Sequence, residues 1–297
     1  MNTTKILILA IVVTLAGCSK KDKEYDATGT FEATEITVSA EQSGQLLRFN
    51  VDEGSQLMKN QQVGLIDTVQ LALKALQLGA TMQSIANQRP DVQTQIAVTR
   101  QQLIKAEQEQ DRFAKLVKSG AANSKQLDDA TSSVRVLKRQ LAAQISSLSN
   151  NTRALNSQIS ATDIQKYQVL DQLMKCHIVS PINGTVLEKY TEPGEFATVG
   201  KPLFKIADIK HMFLRAYITS QQLGKVKIGQ KVKVMADYGN QKRRTYEGTV
   251  TWISEFSEFT PKTILTDDER ADLVYAVKIA VVNDGYIKIG MYGEIKL

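Results

Sequence analysis

The chain has 297 residues, with 37 Lys+Arg against 31 Asp+Glu, a formal charge of +6, 42% hydrophobic residues and only 6% aromatics. That length allows one to three domains, and few aromatics with abundant Gln and Ala argue for long exposed helices rather than one large core. The basic residues are spread along the chain, with no aromatic-interleaved basic stripe, so a nucleic-acid module is excluded and a solvated basic surface remains.

The first eighteen residues read MNTTKILILAIVVTLAGC. Lys5 precedes an apolar run from Ile6 to about Ala16, shorter than the roughly 20 residues a membrane span needs. This is the form of a signal peptide, residues 1–17. Its end, Leu15-Ala16-Gly17-Cys18, resembles the bacterial lipobox, which implies cleavage before Cys18, a diacylglycerol on its thiol and a lipid-anchored mature chain. Ser19 after that Cys favours outer-membrane sorting in enteric bacteria, so the sequence leaves the membrane open. With Cys18 so used, Cys176 has no partner and no internal disulfide forms. Residues 18–27 are then a linker.

An internal repeat follows. Gly44-QLLRFNVDE-Gly54 and Gly184-TVLEKYTEP-Gly194 share one glycine spacing around an apolar strand, and each runs on to a second strand ending in Asp, at Asp67 and Asp208. Leu47, Phe49 and Val51 fall on one face at period 2. Each half, 28–67 and 177–208, is too small for a core of its own, so the two are expected to close into one sandwich.

Between them, residues 68–176 change to period 3.5. The seam of the first arm runs Leu71, Ala75, Leu78, Met82, Ile85, Arg89, Val92, Ile96, Thr99, Leu103, Ala106, Gln110, Phe113 and Val117. The second runs Leu127, Ala130, Val134, Leu137 and Leu141, takes an extra four-residue step to Ile145, and continues Leu148, Thr152, Leu155, Ile159, Thr162, Lys166, Val169 and Leu173. The remaining positions read as Gln, Lys, Ser and Asp. This is a two-stranded coiled-coil hairpin with a stutter, which unwinds the supercoil locally. Arms of about 50 residues give a rod of about 75 Å. Pro90 predicts a kink or a restarted helix. The turn is expected at Ser119–Asn123, with Gly120 as a helix C-cap and Asn123 or Ser124 opening the second arm.

From Lys210 the chain returns to strands at Met212–Thr219, Lys231–Ala236, Thr249–Glu255, Tyr275–Val282 and Gly290–Leu297. A small antiparallel barrel, residues 209–297, accounts for them. His177 and His211 stand at expected strand starts with no Cys or carboxylate at metal-ligand spacing. Asp267-Asp268-Glu269 reads as a solvated charge run. No catalytic set and no phosphate loop occurs. The chain is therefore read as no enzyme, without cofactor or metal.

These segments together resemble the HlyD-like membrane fusion proteins, periplasmic adaptor subunits, and among them the adaptors of ABC-type exporters. The residues that carry the resemblance are Gly44, Val51, Glu53, Gly54, Val63, Leu65 and Asp67 in the first half. In the second they are Ser180 to Val186, Pro193-Gly194 and Pro202-Leu203. Glu258 to Thr263, Thr266, Glu269-Arg270, Leu273 to Lys278 and Gly290-Met291 carry it in the barrel. The resemblance implies a mixed α and β, elongated multidomain chain: a split biotinyl/lipoyl-like β-sandwich, an inserted coiled-coil hairpin and a small β-barrel. It implies an inner-membrane transporter with an ABC permease and ATPase, a TolC-type outer-membrane channel, and self-association into a ring, commonly of six. It also implies a channel-docking motif at the hairpin tip: an Arg, a Leu four residues on, and a Ser seven beyond that. Arg112 and Leu116 match. Asn123 stands at the third position with Ser124 beside it, a departure from the pattern. Few residues between Cys18 and Thr28 are expected to leave no room for the membrane-proximal domain of RND-pump adaptors. The alternatives are an RND-pump adaptor, a carrier subunit, disfavoured because the acceptor hairpin is replaced by helix, and a structural coiled-coil lipoprotein without a transport role.

Overall fold

A computed structural model describes residues 25–239, 243–258 and 273–297. The expected signal peptide, Cys18 and most of the Glu258–Arg270 run lie outside the described residues. The chain divides into two compact units: residues up to Leu65 with Ile178–Leu297, and Ile66–His177.

In the β unit, β1 (Ala27–Ser39), β2 (Gly44–Phe49), β3 (Gln56–Leu57) and β4 (Gln62–Ile66) come from the first half. The strands β5 (His177–Val179), β6 (Gly184–Lys189), β7 (Phe196–Ala197) and β8 (Pro202–Thr219) come from the second. The repeat closes on itself by reciprocal hydrogen bonds. The Gly54 amide donates to Val186 O at 2.9 Å, and the Gly194 amide donates to Leu46 O at 2.7 Å. The Val186 amide returns a bond to Ser55 O at 2.9 Å, and Leu46 returns one to Glu195 O at 2.8 Å. A second set repeats the pattern, from Asn60 to Ser180 O and from Gly200 to Ala40 O, both at 2.8 Å. Gly54 and Gly194 adopt φ of 83° and 93°, so the glycines at these two turns supply a left-handed backbone. Leu46, Phe49, Val51, Val63, Val186, Leu203, Phe204 and Ile206 fill the interior between the halves. Phe49 and Phe204 stack tilted, centroids 6.0 Å apart.

Strict alternation fails in β2. Leu46 is buried while Leu47 is 48% exposed. The Phe49 ring lies over Gly64, where a Cβ would sit 2.9 Å from it. Period 2 counted back from Phe49 therefore picks the wrong leucine.

The remaining strands are β9 (Lys231–Asp237), β10 (Arg243–Glu258), β11 (Val274–Val282) and β12 (Tyr292–Lys296), with a short helix, α4 (Ser220–Leu223), after β8. The order β1-β12-β9-β10-β11-β8, with β1 also paired to β8, closes an antiparallel barrel. Phe31, Leu214, Ile218, Val234, Val277, Ile279 and Ile295 lie in its core. The mixed α and β fold class expected from the sequence is the one observed, with β1 as an additional barrel strand. Both long strands, β1 and β8, serve sandwich and barrel. Between these uses the β1–β8 register jumps from Ala33↔Met212 to Thr34↔Asp208. His211 thus sits in a bulge inside β8, not at a strand start. Asp208 pins the bulge, accepting from the Lys210 and His211 amides at 3.1 and 3.2 Å and pairing with His211 Nδ1 at 2.9 Å. Buried Asn283 holds the other side, donating to Ile209 O and Ile287 O, both at 2.9 Å.

The helical unit contains α1 (Val69–Asn87), α2 (Val92–Lys118) and α3 (Ser124–Lys175). α1 and α2 both pack on α3. Pro90 lies between two separate helices, and Asp91 caps the second through the Gln93 and Thr94 amides. The seam positions named from the sequence are buried or half-buried, except Arg89 at the break and Ile145. Gln144 takes the inward place and Ile145 is 39% exposed. The two successive four-residue steps therefore fall at Gln144–Leu148–Thr152, one heptad later than expected. The outer positions are not all polar: Val69, Leu73 and Leu76 in α1, and Ile164, Tyr167 and Met174 in α3, are exposed.

Two outcomes test this reading. A methyl at Gly29 would lie 1.9 Å from Arg215 O across the β1–β8 ladder. Gly29→Ala is expected to cost about 3 kcal/mol or more. Gly54→Ala, with open space but positive φ, costs about 1 kcal/mol. Urea denaturation followed by tryptophan fluorescence separates them. At the α2 start, the Thr94 side chain, then the Thr94 and Gln93 amides, hold the Asp91 carboxyl below its ordinary value despite some desolvation. A lowered folded value means this cap contributes at pH above the ordinary carboxylate range and is lost as pH falls through the folded value. In an NMR titration Asp91 is expected to titrate below the ordinary aspartate value, and Thr94→Val to move it back up.

Candidate docking site at the hairpin tip

Helix α2 ends in a Schellman motif. Gly120 adopts φ 74°, its amide donates to Val117 O at 3.0 Å, and the Ala121 amide donates to Leu116 O at 2.8 Å. The Ser119 hydroxyl also donates to Leu116 O at 2.9 Å. Orphan carbonyls at the end of α2 are thereby satisfied, and only glycine takes this backbone without strain. Lys115 and Lys118 in the last turn favour the negative end of the helix dipole.

Helix α3 begins with a capping box. The Asn123 side chain accepts the Lys125 amide at 3.1 Å, and the Gln126 side chain accepts the Asn123 amide at 3.3 Å. The Ser124 hydroxyl donates to Asn123 Oδ1 at 3.3 Å. Of the two expected cap residues, Asn123 is the cap and Ser124 the first helical residue. The side-chain oxygen at the departure position is thus occupied in holding the turn.

Arg112 and Leu116 lie one turn apart near the end of α2. The Arg112 guanidinium pairs with Glu109 at 2.6 Å, both groups well exposed, and lies 5.3 Å from the Phe113 ring centroid. Leu116 is half-buried, and Asn123 and Ser124 are exposed. All four named residues therefore stand at the same end of the hairpin. Below them the arms are tied by Gln110 Nε2 donating to Thr131 Oγ1 at 3.0 Å and by Lys138 paired with Glu107 at 2.9 Å. The surface offers a cation, a leucine and short polar groups on a rigid turn, which suits recognition rather than bond-making.

Elsewhere, the remaining candidate chemistry is engaged structurally. Burial and the neighbouring Asp67 push the Cys176 thiol up, keeping it protonated. Burial pulls the Asp208 carboxyl upward, but hydrogen bonds from His211 and from the His211 and Lys210 amides outweigh it and leave it lowered. Among the described residues no cluster of three His, Cys, Asp or Glu could hold a metal ion, and no described helix is long and apolar enough to cross a membrane. Two residues that shape the hairpin were not singled out from the sequence, Asp91 and Gln126. Their signals were present as D-x-x-T and N-x-x-Q before apolar runs.

A split β-sandwich with a coiled-coil insertion, followed by a closed barrel, defines a membrane fusion protein. A family profile described as the barrel-sandwich hybrid domain of RND MFP matches residues 34–209, more than half of the chain. The chain belongs to the membrane fusion protein, or periplasmic adaptor, family. It is 26% identical to the UPF0194 membrane protein YE2891 of Yersinia enterocolitica, over 98% of this chain and 97% of the relative. It is also 26% identical to the UPF0194 membrane protein YbhG of Salmonella typhi, over 98% and 95%. Among solved structures, MacA from Actinobacillus actinomycetemcomitans superposes with a TM-score of 0.56 at 22% identity, covering 91% of this chain and 76% of that one. A MacA-MexA chimeric protein gives 0.50 at 21%, covering 91% and 78%. At these identities the solved structures speak for the fold.

Asn123→Ala is expected to remove the cap and cost about 1 kcal/mol, while Asn123→Ser keeps it. Hydrogen exchange at Lys125 and Gln126 should quicken in the first variant and stay near the parent rate in the second.

Proposed function

We propose that this chain is a lipid-anchored periplasmic adaptor that joins an ABC-type exporter of the inner membrane to a TolC-type outer-membrane channel. Cys18 carries the lipid, and the inner membrane holds the anchor. Several copies, six as is common in the family, form a ring whose interior is the duct. The adaptor hydrolyses nothing itself; any ATP is used by the partner. Transporter movement is passed on by shifting the populations of hairpin arrangements.

The observation that carries this reading is the tip. Two opposed caps, a Schellman turn and a capping box, present Arg112, Leu116 and Ser124 on one rigid end. The domain order supports the same reading: 28–67 and 177–208 as the split sandwich, 68–176 as the hairpin and 209–297 as the barrel. The ABC assignment is supported by the run from Glu258 to Lys278, which resembles adaptors of such exporters. An RND pump is the second reading, favoured by the RND description of the matching family.

The test is a mild-detergent pull-down of the tagged protein, with mass spectrometry of what accompanies it. An ABC permease, its ATPase and an outer-membrane channel are the expected companions. An RND permease in their place overturns the ABC assignment, and recovery of the adaptor alone after cross-linking overturns the transport reading. Leu116→Asp is expected to lose the channel protein while keeping the permease.

A further inference from the structure

The loop between α4 and β9 closes one end of the barrel. Val226 is buried in the barrel core, while Lys225, Lys227 and Ile228 around it are exposed. The Gly229 amide donates to Val250 O at 2.8 Å and the Val250 amide to Gln230 O at 2.9 Å, which holds the loop against β10. β9 continues the alternation, with Lys231 and Lys233 exposed and Val232 and Val234 buried. Lys296 of β12 stands directly opposite Lys233, and like charges facing each other across a ladder destabilise it. Among the described residues no carboxylate lies within ion-pair distance of these five lysines. Nearby acids are engaged elsewhere: Asp26 accepts the Leu297 amide at 2.8 Å, and Glu258 pairs with Arg215. Glu247, across the ladder from Lys233, and Glu255 remain, and the lysines outnumber them.

The same end carries apolar tips. Ile228 is 68% exposed, and Phe256, at 81%, is the most exposed large apolar side chain among the described residues. Phe256 precedes Ser257, which pairs with Tyr275 and through it with Ile218, where β8 ends. The opposite end of the barrel is not free, because β1 and β8 run on from it into the sandwich. The chain also enters the barrel at the basic end. The Asp26 amide donates to Ile295 O at 2.8 Å, and its carbonyl accepts Gln222 Nε2 at 2.7 Å. Eight residue steps separate Asp26 from Cys18, a span of at most about 30 Å. A lipid on Cys18 therefore keeps this end within that reach of the bilayer.

We propose that this end of the barrel binds the anionic phospholipid surface of the membrane that holds the anchor. Lys225, Lys227, Lys231, Lys233 and Lys296 take the phosphate headgroups, and Ile228 and Phe256 enter the interface between them. A lipid surface suits these residues better than a fixed acidic partner. All five cations are lysines, point charges on flexible stems rather than the planar fork of arginine, and the tips among them need an apolar phase to enter. Headgroups also relieve the repulsion between Lys233 and Lys296, which nothing within the chain offsets at ion-pair distance. The barrel end thereby becomes a second membrane contact beside the lipid, and it fixes the barrel against the bilayer where a tether alone would leave it free to swing. This inference rests on the lipid-anchor reading above and adds a site in the folded domain.

Trp252 is the sole tryptophan, so a reporter can be moved to each end of the barrel in a Trp252→Phe background. The full-length protein carrying Ile228→Trp, Phe256→Trp or, at the far end of β9, Tyr238→Trp is reconstituted into vesicles with brominated acyl chains. The vesicles are phosphatidylcholine with or without phosphatidylglycerol, and flotation is measured beside the quenching of fluorescence. The Ile228→Trp and Phe256→Trp reporters are expected to be quenched several-fold more with phosphatidylglycerol than without, and to lose that difference at high salt. Tyr238→Trp should stay unquenched in both. Adding Lys225→Gln, Lys227→Gln and Lys231→Gln should abolish the difference while the protein still floats through its lipid. Flotation in both vesicles with neither end reporter quenched overturns the docking and leaves the anchor. Equal quenching in both vesicles overturns the headgroup recognition. Flotation with phosphatidylglycerol alone supports the site and overturns the lipid on Cys18, and flotation with neither overturns both.

Discussion

The exchange of backbone hydrogen bonds between the two half-motifs is the constraint from which the rest of the chain takes its geometry. Gly54 and Gly194 each donate into the strand of the other half, and Leu46 and Val186 each return a bond. Neither half can satisfy these groups alone, and a buried backbone group left unpaired costs about as much as a lost hydrogen bond. The halves must therefore meet although an insertion of about 110 residues parts them. A flexible insertion of that length would add about 4 kcal/mol of closure entropy beyond the constant term. A hairpin offsets that cost, because its arms pair with each other and return the chain to where it left. The Ile66–Cys176 bond marks that return.

Within the hairpin the arms solve the same length differently. One is a single helix of 52 residues; the other is two helices of 19 and 27 separated at Gln88–Asp91. The seam survives because Ile85 and Val92 are seven apart, one heptad, and Asp91 satisfies the amides that the break exposes. On the opposite arm the phase shifts at Gln144–Leu148–Thr152. The pairs Gln110–Thr131 and Glu107–Lys138 set an antiparallel register, which, carried toward the base, brings Thr152 alongside the break. The phase shift of one helix therefore ends beside the interruption of the other, where a stutter is expected to unwind the supercoil.

The fold was legible where a period carries the information. The 3.5 repeat named the inward residues of both arms, because burial in a two-helix seam leaves no other way to pack them. The glycine spacing named the two halves, because positive φ at their turns admits few other residues. Legibility failed where a single contact overrides a period. Period 2 points to Leu47 rather than Leu46 because nothing within β2 announces that the Phe49 ring lies over Gly64. The sequence pattern offers Ile145 as the apolar seam residue, yet Gln144 takes the inward place. Asn283 and the β8 bulge depend on residues some 70 apart, and no local pattern reports them. The outer leucines of α1, Leu73 and Leu76, lie off the 3.5 repeat, which marks one apolar face per arm and does not report a second.

At the tip, the site residues divide by what they already do. Asn123 Oδ1 is spent on the Lys125 amide and the Ser124 hydroxyl, so a partner that took this oxygen would have to undo the cap that shapes the turn. Arg112 is in the opposite position. Its pairing with Glu109 is between two groups 64% and 44% exposed, and exposed pairs of this kind are worth about 0–1 kcal/mol. A carbonyl or carboxylate on a partner could replace Glu109 at little cost and gain a charge-assisted hydrogen bond. Leu116 adds an apolar contact one turn away while its carbonyl remains engaged in the Schellman turn. The departure at Asn123 is therefore compatible with docking if its role is to hold the shape that presents Arg112 and Leu116, with Ser124 supplying the short hydroxyl beside them.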